Sequence, residues 1–384
     1  MIQHILIAAL AAMIAVVWIH PKLVQIALLK NIVDCPDSRK LQRTPVPVMG
    51  GIAVFFGMVI GVALTCGYTN CQSLMIIVAA MMIMLYVGTM DDIVGLSARL
   101  RFIVEIGVAS LLIFATDLHI NNLDGLWGWY VIGADVAIPL TIFAAVGIIN
   151  AMNLIDGVNG LSSGYCIMAS AVFGTVFYTI GNAPMVILAA VSIGSLIPFF
   201  LHNVFGKTSK MYIGDGGTLV MGIVMSTFVV YLLSDASQTH AIDANFGLVP
   251  FSLATMAIPV FDTLRVMVSR IARGTSPFHP DKTHLHHMFI DMGFSHAGTT
   301  MSILTLNSLV IAAQIVAWHL GASVDMQLYI VIAMSLIFTF GLYHLVYALS
   351  DGNIIKHALK GIGRATCLER KGIFLLLQKI IDKI

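Results

Sequence analysis

The chain is divided by short polar connections into long apolar runs, and that alternation leaves it very few folds. The runs fall at 2–20, 48–66, 73–90, 102–117, 135–151, 162–180, 184–201, 218–234, 247–264, 300–320 and 326–348. A helix that crosses a bilayer needs about 20 apolar residues, and only helices or closed barrels satisfy every backbone group in lipid. None of the runs shows the strict apolar/polar alternation of barrel strands, so helices are expected. Composition agrees. The chain is 59% hydrophobic and only 10% charged, against about 25% charged in soluble domains. The expectation is an all-α, polytopic membrane protein with eleven transmembrane helices. Residues 1–350 form its multi-span domain, and 351–384 form a basic tail. The tail ends in GIFLLLQKIIDKI, whose apolar residues recur at helical spacing, as in a helix lying in the membrane interface. The first twenty residues lack a basic start and a small-residue cleavage site, so they read as the first span.

Charge fixes the expected orientation. All 20 Lys and Arg lie in 22–43, 99–101, 207–210, 265–282 or 356–383. The connections between those segments carry Asp117, Asp124, Asp235, Asp243 and Asp325 instead. Basic connections stay cytoplasmic, so the N-terminus is expected outside and the C-terminus in the cytoplasm. A formal net charge of +1 offers no footprint for nucleic acid. Cys66 and Cys71 flank one external turn and are spaced so that a disulfide could close it. No spanning run has a charge near its middle, which argues against a transporter with ionisable groups at mid-depth.

Five polar clusters interrupt this pattern, all on the face read as cytoplasmic. In DCPDSRKLQRTPVPVMGG, Arg39, Lys40 and Arg43 obey the charge rule. The Thr-Pro-x-Pro before Gly50-Gly51 shapes a loop that could bring those cations to a phosphate. Asp91 and Asp92 are adjacent carboxylates, whose repulsion and desolvation a divalent cation would relieve; the plainer reading is a solvated helix end. The stretch NAMNLIDGVNGLSSG sets Asn153 and Asp156 three residues apart, on one face if the helix continues, with Asn159 on the rim. In HNVFGKTSKMYIGDGG, Asp215 stands among glycines at a helix start, where backbone N–H groups can approach a phosphate. Asn203, Lys210 and Tyr212 are near it in sequence. Finally, His284, His286 and His287 crowd together beside Asp281, Lys282 and Arg273. Zinc is the lesser reading there, since no Cys is near; binding phosphate oxygens is the better one. Mixed carboxylates and cations on one face suit phosphoryl transfer between a water-soluble substrate and a lipid.

These motifs resemble those of the polyprenyl-phosphate N-acetylhexosamine-1-phosphate transferases, whose superfamily includes the phospho-N-acetylmuramoyl-pentapeptide transferases. TPVPVMGG, Asp91-Asp92, NLIDGVNG, the GDGG at 214–217 and HLHH at 284–287 match in order across nearly the whole chain. The HxHH form is similar to the branch that uses UDP-GlcNAc. The resemblance implies transfer of GlcNAc-1-phosphate from that UDP-N-acetylhexosamine to undecaprenyl phosphate with release of UMP. This is the first membrane step of a cell-surface polysaccharide. It implies Mg²⁺, with Mn²⁺ as a substitute, a site on the cytoplasmic face of a bacterial inner membrane, and an optional homodimer. Asp91, Asp92 and Asp156 would be catalytic, and Asp215 with Asp92 would hold the metal. Asn153, Asn159, Asn203, Tyr212, Arg273, His284, His286 and His287 would bind the nucleotide sugar. Arg39, Lys40 and Arg43 would bind the lipid phosphate. Asn159 departs from relatives that carry Asp there, so it cannot accept a proton. Another UDP-HexNAc or UDP-MurNAc-pentapeptide stays open as the donor.

Overall fold

The computed structural model describes residues 1–34, 45–68, 71–235, 243, 245–277, 281–367 and 372–383. Arg39, Lys40 and Arg43 therefore lie outside the described residues. The helices run in order as α1 (Ile2–Leu29), α2 (Gly50–Thr65), α3 (Cys71–Val94), α4 (Ala98–Thr116), α5 (Ala134–Leu154) and α6 (Leu161–Thr179). They continue as α7 (Ala183–Phe205), α8 (Gly214–Leu232), α9 (Leu248–Thr255), α10 (Ala257–Ala272), α11 (Leu285–Asp291) and α12 (His296–His319). The last are α13 (Val324–Leu336), α14 (Leu342–Ala348), α15 (Ile354–Ala365) and α16 (Gly372–Ile381). A two-stranded antiparallel ribbon, β1 (Val33–Asp34) with β2 (Val46–Pro47), is the one sheet among the described residues.

The protein is a multi-pass helical membrane protein. Among the described residues nine helices are long and apolar enough to cross a bilayer, and α9 with α10 adds a tenth as a bent pair. The remaining expected run, 102–117, is helical within α4, which begins with Arg99, Arg101 and Glu105. Helix α8 is the centre of the bundle: every residue from Gly216 to Val229 is buried. Helices α2, α3 and α5 surround it, while α1 and α6 pack against α7. On the outer helices large apolar side chains such as Ile14, Tyr86, Phe114 and Phe143 face outward. In lipid that exposure costs nothing, and close packing of small residues and hydrogen bonds must hold the bundle instead.

The expected straight span at 247–264 is not straight. The chain breaks at Met256, and α9 and α10 meet at 72°. The cause is legible in the residues. Pro259 has no N–H to give to the carbonyl of Thr255, four residues back. That orphaned oxygen accepts instead from the Tyr165 hydroxyl and from Asn307 Nδ2, the latter at 3.2 Å. Asn307 Oδ1 in turn accepts from Ile258 N at 2.9 Å. Broken backbone at membrane depth survives where protein groups satisfy it. The bend sends α10 out to the histidine segment.

The tail is docked as well as amphipathic. Asp382 Oδ1, just past α16, accepts from the amides of Lys207, Thr208 and Ser209 at 2.9, 3.0 and 3.2 Å. These bonds hold its carboxyl below the usual carboxylate range against the opposing effect of partial burial.

Candidate active site

One cavity of about 590 Å³ opens at the end of the bundle where α3 and α7 finish and α8 begins. Its wall includes Asp92 from α3, Asn153, Asp156 and Asn159 from the α5–α6 turn, and Asn203 from α7. Tyr212 from the α7–α8 loop, Asp215 from the first turn of α8 and His287 from α11 belong to it, whereas Asp91, Arg273, His284 and His286 of the expected set do not. Residues 60 to 200 apart in sequence thus share one wall. Asp34, Asn31 and His296 line it too, and composition gave no reason to single out the last two.

The α1–α2 connection is stitched to the α7–α8 loop by backbone bonds. Tyr212 N donates to Pro47 O at 2.8 Å, and Gly50 N donates to Tyr212 O at 3.0 Å. Pro47 and Gly50 therefore seat the aromatic ring at the wall. Burial, with Asp34 and Asp156 nearby, pushes the Tyr212 hydroxyl up to about 12, so it stays a hydrogen-bond donor at neutral pH. Asn203 is engaged on both ends of its amide. Its Oδ1 accepts from Gly160 N at 2.7 Å, and its Nδ2 donates to Met211 O at 2.8 Å.

The paired carboxylates divide their work. Helix α8 has no capping side chain of its own. Asp92 supplies the cap from α3, accepting from Asp215 N at 3.0 Å and Gly216 N at 3.2 Å. A carboxylate at a helix N-terminus satisfies orphan amides and meets the positive end of the dipole. Asp91 turns the other way: Oδ1 accepts from Leu96 N at 2.6 Å, and Oδ2 from Arg101 Nη1 at 3.0 Å. The same Nη1 stands 3.6 Å from Asp215 Oδ2. Arg101 was counted in the sequence only as a cytoplasmic charge. It follows Asp91 by ten residues across the tight α3–α4 turn, so its return to the site could have been foreseen.

Asp215 Oδ1 accepts from Asn153 Nδ2 at 2.8 Å, and its side chain keeps 35% exposure to the cavity. Asp156 is open to the cavity but ringed by protein, and accepts from the Ser162 hydroxyl. That enclosure pushes its carboxyl up to about 6; the Ser162 bond opposes the rise, and nearby Asp215 adds to it.

The histidines sit behind the α5–α6 turn. A Cβ at Gly157 would lie 2.0 Å from His286 Nε2, so only glycine lets the ring pack there. Burial and the neighbouring imidazoles hold both His286 and His287 below the ordinary range, leaving them neutral. His284 faces away from the cavity: its Nδ1 meets Asp262 Oδ2 at 3.0 Å, and Asp262 is paired with Arg265 at 2.7 Å. Arg273 is also drawn off the wall, to Asp281 at 2.9 Å, beside Arg270 at the same distance. Although partial burial opposes it, Arg270, Thr283 and Arg273 hold the Asp281 carboxyl far below the usual range. Asp262 and Asp281 thus act as two pegs that fix the histidine segment.

Among the described residues no three His, Cys, Asp or Glu side chains converge tightly enough to cage a metal ion. The zinc reading of the histidines finds no such cage. The donor set fits a hard cation of another kind. Mg²⁺ is commonly held by one or two carboxylates and completed by water and substrate phosphates, and Asp215 and Asp156 offer oxygens to the cavity.

Residues 74–233 match the family described as Glycosyl transferase family 4. The chain is 31% identical over 305 residues to the probable undecaprenyl-phosphate N-acetylglucosaminyl 1-phosphate transferase of Bacillus subtilis strain 168, spanning 79% of this chain and 81% of that protein. It is 29% identical over 293 residues to the undecaprenyl-phosphate alpha-N-acetylglucosaminyl 1-phosphate transferase of Salmonella typhi, spanning 75% and 77%. The protein of that name from Escherichia coli K12 is 27% identical over 288 residues, spanning 74% and 75%.

Proposed function

The chain belongs to the glycosyl transferase family of these undecaprenyl-phosphate N-acetylglucosaminyl 1-phosphate transferases, and on that premise we propose the reaction it carries out. It transfers GlcNAc-1-phosphate from UDP-GlcNAc to undecaprenyl phosphate, giving the lipid-diphosphate sugar and UMP. The observation that carries this reading is the meeting of Asp92, Asp156 and Asp215, from three remote segments, on one cavity wall. The site faces the cytoplasm of a bacterial inner membrane, where the nucleotide sugar is available. The disulfide-bonded Cys66 at the far end of α2 supports that orientation, since such bonds persist in oxidising compartments.

In the transfer, an oxygen of the lipid phosphate attacks the phosphorus that bears the sugar. A new P–O bond forms as the diphosphate P–O bond breaks, and UMP leaves with the electron pair. A phosphate monoester has its second pKa near 6, so the nucleophile is largely ionised at neutral pH and needs no strong base. Asp215 and Asp156 would hold Mg²⁺ with the diphosphate oxygens; when bound, the ion neutralises charge on the transferring group. Asp92 keeps the α8 N-terminus closed around Asp215. Tyr212 and Asn203 shape the pocket for the nucleoside, while His287 borders it and His286 supports the turn that presents Asp156. Arg39, Lys40 and Arg43 are the proposed grip on the lipid phosphate.

Purified protein given undecaprenyl phosphate and a panel of UDP-sugars is expected to release UMP fastest with UDP-GlcNAc and to fall silent in EDTA. Faster turnover with UDP-MurNAc-pentapeptide would replace the donor, and full turnover in EDTA would remove the cation. The Asp156 carboxyl, raised to about 6 by its enclosure, adds a pH signature. Protons compete with Mg²⁺ for it, so the acid limb of kcat/KM should move to lower pH as Mg²⁺ is raised. An acid limb that stays put across Mg²⁺ concentrations would take Asp156 out of the cation's grip.

A further inference from the structure

Glu105 lies two turns into α4 and is fully buried. A carboxylate near membrane depth is costly and is retained where it has a partner and a task. Its Oε2 accepts a hydrogen bond from Asn150 Nδ2 of α5. Asn150 is itself fixed, donating to Val146 O at 2.9 Å. The other oxygen, Oε1, makes no hydrogen bond and lies 3.7 Å from Arg101 Nε. The opposite edge of that guanidinium is the one that serves the site, with Nη1 at 3.0 Å from Asp91 and 3.6 Å from Asp215.

The pair adds little to α4 as a helix. It runs Arg at i and Glu at i+4, the weaker of the two orders. Its geometry has another consequence. An arginine side chain carries about 2 kcal/mol of rotamer freedom, and one facing several carboxylates across an open cavity has many ways to sit. A buried acid at its Nε edge selects one of them.

We infer that Glu105, backed by Asn150, is a positioning residue for the transfer: it holds Arg101 by its Nε edge so that the Nη edge faces Asp91 and Asp215. The inference rests on the reaction proposed above. It assigns a role to the one acid of α4, which charge patterning placed only near a helix end.

The test is a cycle on the full-length protein in nanodiscs, assayed by UMP release with thermal unfolding recorded for every variant. Glu105→Ala is expected to lower kcat by roughly 10- to 100-fold, the range typical of a supporting partner, with KM for UDP-GlcNAc little changed. Glu105→Gln, which keeps the shape and an acceptor oxygen, should recover most of that loss. In an Arg101→Lys background, where the fork is gone, adding Glu105→Ala should cost no more than about threefold. A full additional loss in that background, or a Glu105→Gln as impaired as Glu105→Ala, would overturn the positioning role. Should Glu105→Ala fail to fold, Asn150→Ala takes its place in the same cycle with the same two outcomes. A wild type that releases no UMP overturns both this role and the reaction. An active wild type with additive variants overturns the positioning role alone.

Discussion

Asp215→Ala is expected to lower turnover by at least about 1,000-fold, the upper end of what one preorganised electrostatic partner supplies, and to leave the fold intact. Asp215 lines the cavity with both oxygens next to an identified neighbour: Asn153 on one and Arg101 on the other. Asp91 and Asp92 crowd the same end of α3, so removing one negative charge relieves repulsion and breaks no core contact. Functional sites commonly hold such unfavourable arrangements. The thermal midpoint in detergent should accordingly hold or rise while UMP release disappears. Asp215→Asn keeps the size of the side chain and should fail almost as completely, because the proposed grip on the cation depends on the carboxylate charge. Turnover within tenfold of wild type for either variant would mean that Asp215 is not where the diphosphate is gripped.

The second large effect comes from a residue with no side chain. Gly88 lies one turn before Asp91 in α3, where that helix touches the first turn of α8. A Cβ there would meet the Asp215 carbonyl carbon and the Gly216 N and Cα at 2.5 Å each. These atoms are backbone and cannot rotate aside, so α3 and α8 must part. Overpacking of this kind costs about 1–3 kcal/mol. The functional cost should be larger, because the displaced amides are the two that Asp92 holds. Gly88→Ala is therefore expected to reduce kcat by about 100-fold and to lower the thermal midpoint. Gly107→Ala is the matched control on α4, where an added Cβ meets nothing within 4 Å. Alanine favours a helix interior over glycine by about 1 kcal/mol, so that variant should be active and at least as stable. Equal behaviour of the two would show that the α3–α8 approach does not set the site.

Much of the site was readable from residue type alone, for a specific reason. Polar side chains gathered between apolar runs are conspicuous in a chain this apolar, so Asp92, Asn153, Asp156, Asp215 and His287 stood out, and all of them line one cavity. Residues whose part depends on a neighbour could not be separated this way. Arg273 and His284 belong to the same basic cluster as His287, yet Asp281 and Asp262 draw them off the wall. Arg101 looked like any cytoplasmic arginine until the α3–α4 turn folded it back onto Asp91. The break at Met256 had its signal in Pro259, but its 72° angle depended on Tyr165 and Asn307 reaching the freed carbonyl.

Hydropathy and charge sign are properties of each segment by itself, because lipid selects helices one run at a time. The helical class, the position of nearly every span and the one-sided polar clusters therefore followed from the amino acids. Which carboxylate caps a helix, which faces the cavity and which merely pins a loop depends on distances between segments far apart in the chain. Those distances are set where α3 meets α8 at Gly88 and where α10 swings away from α9, and only the packed bundle determines them.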